Sequence, residues 1–401
     1  MGTRYRKLKT AAELQRLMQA HYLEAQHLRL GRPVAWVTSG APVEILRAMG
    51  ILAVYPENYG ALCGARHQAV ALCRQAEAQG YSPDLCSYAR TSLGTMLGGG
   101  EAPLGGLPRP NLLIACNNIC GTVTKWYEAV AEHYSVPLFV LDAPFVNEQV
   151  EPHALDYVQQ QLRELIRFVE TTTRRRMRWE RLQEVVDLSN ETVNLWSEIR
   201  ALCRARPSPL NVPDLFVNMA PIVVLRGTKR AVRFYRHLRD EVAQRVKDGV
   251  GAVLEERHRL LWDNIAMWHR LYRFYNTFAQ HGACFVVDTY TGAWSQAVPG
   301  GDVLGGLAYA YATVLLNQSL QRRAEDMIRL VSEYNVDGFV MHNNRSCKPY
   351  SLGQFAIKRR VTEQSGVPGL VIEADMCDTR SFAPEAVNTR IQAFAEMLAA
   401  G

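Results

Sequence analysis

The chain alternates between two hydrophobic rhythms. Between Pro33 and Phe145, short unbroken apolar runs ("PVAWV", "ILAVY", "NLLIAC", "VPLFVL") are separated by segments whose apolar residues recur at helical spacing. Strands that are apolar throughout, rather than alternating, belong to a parallel sheet covered on both faces, and the segments between them are the covering helices. The segment "ALCGARHQAVALCRQAEAQGYS" reads as one such helix closed by Gly80, and another runs from about Thr122 to Tyr134. From His153 the rhythm turns helical, with "ALDYVQQQLRELIRFVETTT", "RWERLQEVVDLSNETVNLWSEIRALCRARP" and "GTKRAVRFYRHLRDEVAQRVKDG" in succession. The α/β rhythm resumes with "LLWDNIAMWHRLYRFYNTFAQHGACFVVDTY" and continues through "VDGFVMHNNRSCKPYSLGQFAIKRRVTEQSGVPGLVIEADMCD", before a closing helix, "EAVNTRIQAFAEMLAA". The expected fold is α/β: two Rossmann- or flavodoxin-like parallel-sheet domains, residues 1–150 and 271–401, with a helical region, 151–270, inserted between them. The two α/β halves are candidates for distant structural duplicates.

At 401 residues the chain exceeds what one core fills, which agrees with two or three domains. Hydrophobic residues make up 48% and charged residues 21%, an ordinary globular balance that excludes a disordered or fibrous chain. No apolar run approaches the ~20 residues of a membrane span. The opening "MGTRYRKLKTAAELQRLMQAHYLEAQHLRLGRP" is an amphipathic helix without a signal-peptide core, so a cytoplasmic protein with no membrane partner is expected. The net charge of +6 is modest. Its densest basic run, "TTTRRRMRWERLQE", is interleaved with acids, so a solvated helix face competes with attraction for a phosphate-bearing ligand or an acidic partner. No nucleic-acid-binding motif is present.

Nine cysteines, an odd count without a secretion signal, point to a reducing compartment and to metal or redox chemistry rather than a disulfide framework. Three share a context. Cys86 lies in "PDLCSYAR", Cys120 follows the strand "NLLIAC" and opens a helix, and Cys347 follows the strand "GFVMH". Ligands of doubly wound sheets bind beyond the carboxyl ends of the strands, where Cys120 and Cys347 fall, one in each half. A helix N-terminus lowers a thiol's pKa, and Lys125 and Lys348 add positive charge nearby. Single, widely spaced cysteines do not match the paired spacing of structural zinc. They suit a cluster at a domain interface, in which three thiolates leave one iron open. Core packing is the competing explanation for any buried thiol, and it is the expected one for Cys73, Cys203 and Cys284 inside regular elements. Cys63, Cys116 and Cys377 stay open between the two.

Taken together, "CNNICGTVTKWYE", "GYSPDLCSYAR" and "HNNRSCKPYSLGQ" resemble the 2-hydroxyacyl-CoA dehydratase and benzoyl-CoA reductase family. The resemblance runs through nearly the whole chain and includes "GRPVAWVTS", "VYPEN", "SPLNVPDLF" and the tail "EADMCDTRSF". It implies a 4Fe–4S cluster held by Cys86, Cys120 and Cys347, with a fourth iron free to meet an acyl-CoA substrate. It also implies a homologous second subunit or a self-dimer, and a separate ATP-dependent iron–sulfur activator that injects one low-potential electron. In the dehydratases a ketyl radical anion then expels the hydroxyl group; in the reductases electrons enter an aromatic ring. Ser39 of "WVTS" and Glu57 of "YPEN" match positions near the substrate, where a carboxylate accepts a proton or steers the hydroxyl. A helix cap for Ser39, a solvated turn for Glu57 and a structural strand-end role for His342, the other candidate for a thioester contact, are the competing readings. The chain departs from the dehydratase pattern in lacking an additional serine before Thr38, which leaves dehydration and ring reduction both open. A non-catalytic electron-passing subunit, or a larger iron–sulfur assembly that also uses Cys63 or Cys116, are the rival functions. "GGGEAPLGG" lacks the Gly-Lys-Ser/Thr ending of a phosphate-binding loop, consistent with ATP hydrolysis by the activator.

Overall fold

The computed structural model describes residues 7–98 and 102–400. The first residues of the opening segment and the "GGE" of the Gly-rich loop lie outside them. Among the described residues, eight strands form two sheets. β1 (Val34–Val37), β2 (Leu52–Val54), β3 (Leu112–Cys116) and β4 (Leu138–Leu141) make the first, in the order β2-β1-β3-β4. β5 (His258–Asp263), β6 (Ala283–Asp288), β7 (Gly338–Asn344) and β8 (Gly369–Ala374) make the second, in the order β6-β5-β7-β8. Every pairing is parallel. In each sheet the chain starts at an inner strand, moves one way to an edge, then returns across the first strand. That is the flavodoxin order, with its switch point between β1 and β3, or β5 and β7. The two halves share one topology, as the sequence pattern suggested for duplicates.

The unbroken apolar runs have their expected cause. β1, β3 and the edge strand β6 are buried along their whole length because helices cover both faces, while β4 and β8, at the opposite edge of each sheet from β2 and β6, are partly exposed. The segment read as one helix after Tyr55 is two, Pro56–Ala65 and Ala69–Ala78, broken where His67 takes a positive φ of 58°. Gly80, at φ 94°, does close the second helix.

The long helices Pro152–Thr173, Trp179–Leu202 and Lys229–Lys247 lie where helical periodicity dominates. They form a layer bound to both sheets rather than a separate body. Ser189 of the middle helix donates to Glu44, in the short helix Val43–Ala48 that follows β1, at 2.7 Å. Arg200 of the same helix pairs with buried Asp288, at the end of β6, at 3.1 Å. The opening helix, Ala11–Gln26, joins this layer: the backbone amides of Lys9 and Thr10 donate to Glu241 at 2.6 and 3.0 Å. β5 precedes residue 271, so the second sheet begins inside the stretch assigned to the helical region. A short apolar run such as "RLLWD" carries no period of its own that separates strand from helix, and neighbouring β7 decides it.

Candidate active site

A cavity of about 520 Å³ opens between the carboxyl ends of the two sheets, under the helical layer. Its walls come from the loops after β1 (Ser39), β2 (Glu57), β3 (Cys120), β5 (Ile265), β7 (Cys347) and β8 (Met376), and Cys86 lines it as well. Five widely separated sequence candidates therefore reach one space.

Ser39 and Glu57 are direct partners. The Ser39 amide donates to Glu57 Oε2 at 2.8 Å and its hydroxyl to Oε1 at 2.9 Å. Glu57 is in the first turn of the helix Pro56–Ala65, where the backbone dipole and these two bonds favour the carboxylate. Burial outweighs both and pushes its pKa up to about 7. A half-buried, desolvated acid that is half ionised near neutrality suits proton transfer, and the solvated-turn reading does not describe it.

Each of the three thiols stands immediately before a helix: Cys86 before Ser87–Gly98, Cys120 before Gly121–Tyr134, and Cys347 before the single turn Lys348–Ser351. The expectation of lowered thiol pKa values fails. Burial drives Cys86 well above its usual range, raises Cys120, and pushes Cys347 up to about 12. The nearby thiols raise one another further: Cys347 and Cys120 act on Cys86, and Cys120 on Cys347. Amide groups three residues on, of Ala89, Val123 and Tyr350, oppose the rise without overcoming it. The lysines do not help, since Lys125 is exposed and paired with Glu128 at 2.8 Å, and Lys348 is exposed. At neutral pH these thiols are therefore protonated, and binding metal there releases protons. Among the described residues, no three His, Cys, Asp or Glu side chains are gathered closely enough for a single ion.

Polar contacts that the sequence reading missed fix these loops. Asn118 Nδ2 donates to Gly40 O at 3.0 Å and to Tyr311 O at 2.8 Å, which ties the Cys120 loop to the Ser39 turn and to the second half. A Cβ at Gly40 would collide with the Asn118 side chain, so that position needs glycine. The hydroxyl of Thr38 accepts from the Cys116 amide at 3.1 Å. The Ser87 amide donates to Ser346 Oγ at 3.1 Å, and Ser346 in turn bonds Asp375, which brings the Cys86 and Cys347 loops together. Trp268 Nε1 donates to the Tyr88 hydroxyl at 2.6 Å, and Arg90 bridges Glu77 and Asp378 at 2.6 and 3.0 Å. For Thr38, Asn118, Ser346 and Asp375 the available signal was placement, just beyond apolar strands; Ser87, Tyr88, Arg90 and Trp268 carried none.

A profile of the family described as "2-hydroxyglutaryl-CoA dehydratase, D-component" matches residues 38–398. The chain belongs to this family. It is 35% identical to the (R)-2-hydroxyisocaproyl-CoA dehydratase alpha subunit of Clostridioides difficile, over 92% of this chain and 90% of that one. It is 33% identical to the lactoyl-CoA dehydratase subunit alpha of Anaerotignum propionicum, over 92% of each. It is 28% identical to a benzoyl-CoA reductase subunit of Thauera aromatica, over 88% of this chain and 86% of that one. The D-component family is thus one of enzyme subunits, dehydratases and reductases, and this member is an enzyme subunit.

The other candidates do not reach the cavity of this D-component family member. His342 is buried in β7, bonds Ile265 O through Nδ1 at 2.7 Å, and has its pKa lowered to about 4 by burial. Cys63 and Cys116 are fully buried within a helix and a strand, and Cys73, Cys203 and Cys284 are core thiols. Cys377 is buried with its thiol 3.3 Å from Gly60 O. The arginine run at 174–178 is exposed, between the helices Pro152–Thr173 and Trp179–Leu202. No helix among the described residues is long and apolar enough to cross a membrane.

Proposed function

We propose that this chain is the substrate-facing iron–sulfur subunit of a cytoplasmic 2-hydroxyacyl-CoA dehydratase, which removes water from a 2-hydroxyacyl-CoA by a ketyl-radical route after ATP-driven one-electron activation. The observation that carries the reading is the meeting, in one cavity, of the Cys86, Cys120 and Cys347 thiols with the Ser39–Glu57 pair. The donor set fits a 4Fe–4S cluster: three soft ligands, spread around a space rather than drawn in on one ion, with no fourth thiol on the cavity wall among the described residues. When bound, such a cluster supplies a low-potential electron and an open, Lewis-acidic iron. The protein's own groups do the rest. Glu57, poised at about 7, takes a proton from the substrate or returns one to the departing hydroxyl. Ser39 holds both carboxylate oxygens, so Glu57 points at one place in the cavity. The helical layer and the buried aromatic walls exclude water.

Similarity to a benzoyl-CoA reductase subunit, and the missing serine before Thr38, keep electron delivery to an aromatic acyl-CoA as the second reading. In both, a homologous second subunit and a separate iron–sulfur ATPase complete the system, since relatives are named as subunits and the sequence has no phosphate-binding loop. The test is an anaerobic assay of the purified chain with a panel of 2-hydroxyacyl-CoA and aryl-CoA thioesters. Turnover is expected only after activator and second subunit are added. ATP-coupled turnover by the isolated chain would overturn this division of labour.

A further inference from the structure

The cavity also carries information about the acyl chain it receives. Among the described residues its wall holds four charged side chains: Glu44, Glu57, Arg66 and Arg226. Glu57 belongs to the reaction centre, and Arg66 is exposed. That leaves Glu44 and Arg226, which are 1% and 9% exposed and paired with each other at 3.0 Å. Glu44 also accepts from the Ser189 hydroxyl at 2.7 Å and the Tyr311 hydroxyl at 2.6 Å. Arg226 donates to the same Tyr311 hydroxyl, and its guanidinium lies 5.4 Å from the Trp294 ring centre and 5.7 Å from that of Tyr311. The buried cation is therefore matched in charge and covered on its faces by aromatic rings.

From this we infer that the acyl group accepted here is uncharged and apolar, and that Glu44 enforces the choice by neutralising Arg226. The inference rests on the acyl-CoA reading above and narrows it. A dicarboxylic acyl chain would bring a carboxylate into a space with no unpaired buried cation among the described residues and with Glu57 close by. Burying an ion without a partner is among the costliest substitutions a site can meet. The remaining wall, including Val223, Ile265, Trp268, Leu271, Val314 and Leu315, offers mainly apolar contact. A rim arginine, Arg66, does not alter the balance, because an exposed cation is screened and solvated where it stands.

The decisive measurement is binding of unreactive thioesters to the anaerobically prepared holoprotein, by calorimetry, without activator or reductant. 4-Methylpentanoyl-CoA and 3-phenylpropanoyl-CoA are expected to bind about a hundredfold more tightly than glutaryl-CoA. Equal affinities, or a preference for glutaryl-CoA, would overturn the inference while leaving the acyl-CoA reading intact. Binding of none of the three would overturn that reading and this inference with it. Glu44→Gln keeps the shape and one of the two acceptor oxygens that meet Ser189 and Tyr311, but frees the Arg226 charge. Relative to 4-methylpentanoyl-CoA, glutaryl-CoA should then gain about tenfold. A folded variant with the wild-type preference would remove Glu44 from its role. Where that variant does not fold, the wild-type ratio alone decides.

Discussion

The two sheets repeat one topology and spend it differently. In the first half the turn after β1 presents Ser39 to Glu57 and faces the cavity. In the second half the polar groups at the end of β5 turn inward and leave Ile265 on the cavity wall: Asn264 Nδ2 donates to His342 O at 2.6 Å, and Asp263 accepts from Thr289 at 2.8 Å. The loops after β3 and β7 keep more of a common plan. Both run through an Asn-Asn pair to a cysteine just before a helix, as "NNIC" and "NNRSC". One half thus contributes two thiols and the acid–base pair, and the other a single thiol and apolar wall. A repeated scaffold can keep one strand-end position for a ligand and turn the other into packing, because switch-point loops contribute little to the sheet itself.

The most damaging way to break this asymmetry is to remove one thiol from each half. Cys120→Ala and Cys347→Ala should each lose the iron, about four atoms per chain in the parent protein, while core-buried Cys203→Ala keeps it. Iron retained by Cys347→Ala would make the second half dispensable to the site. Next, Glu57→Gln should keep its iron and lose turnover by roughly a hundred- to ten-thousandfold. The pH dependence has a definite sign. Glu57 sits at about 7 in the fold against an ordinary 4.5, so the base form, and with it the rate, is lost as pH falls through about 7. For stability the order reverses. The folded state holds this proton more tightly, so the contribution is complete below 4.5 and is lost as pH rises through about 7. Unfolding measured across that window should show a slope that Glu57→Gln flattens.

A smaller change is expected from Ser39→Ala. It removes the hydroxyl bond but leaves the amide bond, so Glu57 should titrate still higher, and the pH–rate limb should move up with it. An unmoved limb would detach Ser39 from Glu57. The least effect on turnover should come from His342, buried in the second half. His342→Gln should cost about 1–3 kcal/mol of stability through its bond to Ile265 O and leave the rate near normal. A rate loss as large as that of Glu57→Gln would mean that the inward-turned half also does chemistry.

The sequence by itself determined the strands and most long helices, because apolar runs and helical periodicity are local and survive without neighbours. It also singled out Cys120 and Cys347 through their position beyond strands, and Cys86, Ser39 and Glu57 with them through family motifs. Tertiary structure decided what no local pattern encodes. Whether "RLLWD" is strand or helix depends on β7 beside it. That Glu57 is an acid near 7, and that the thiols are held neutral by burial, depends on how much water the two halves together exclude. The pairing of Glu44 with Arg226, separated by most of the helical layer in sequence, gives the cavity its apolar character. Charge and desolvation act through space, across contacts that only the folded chain creates.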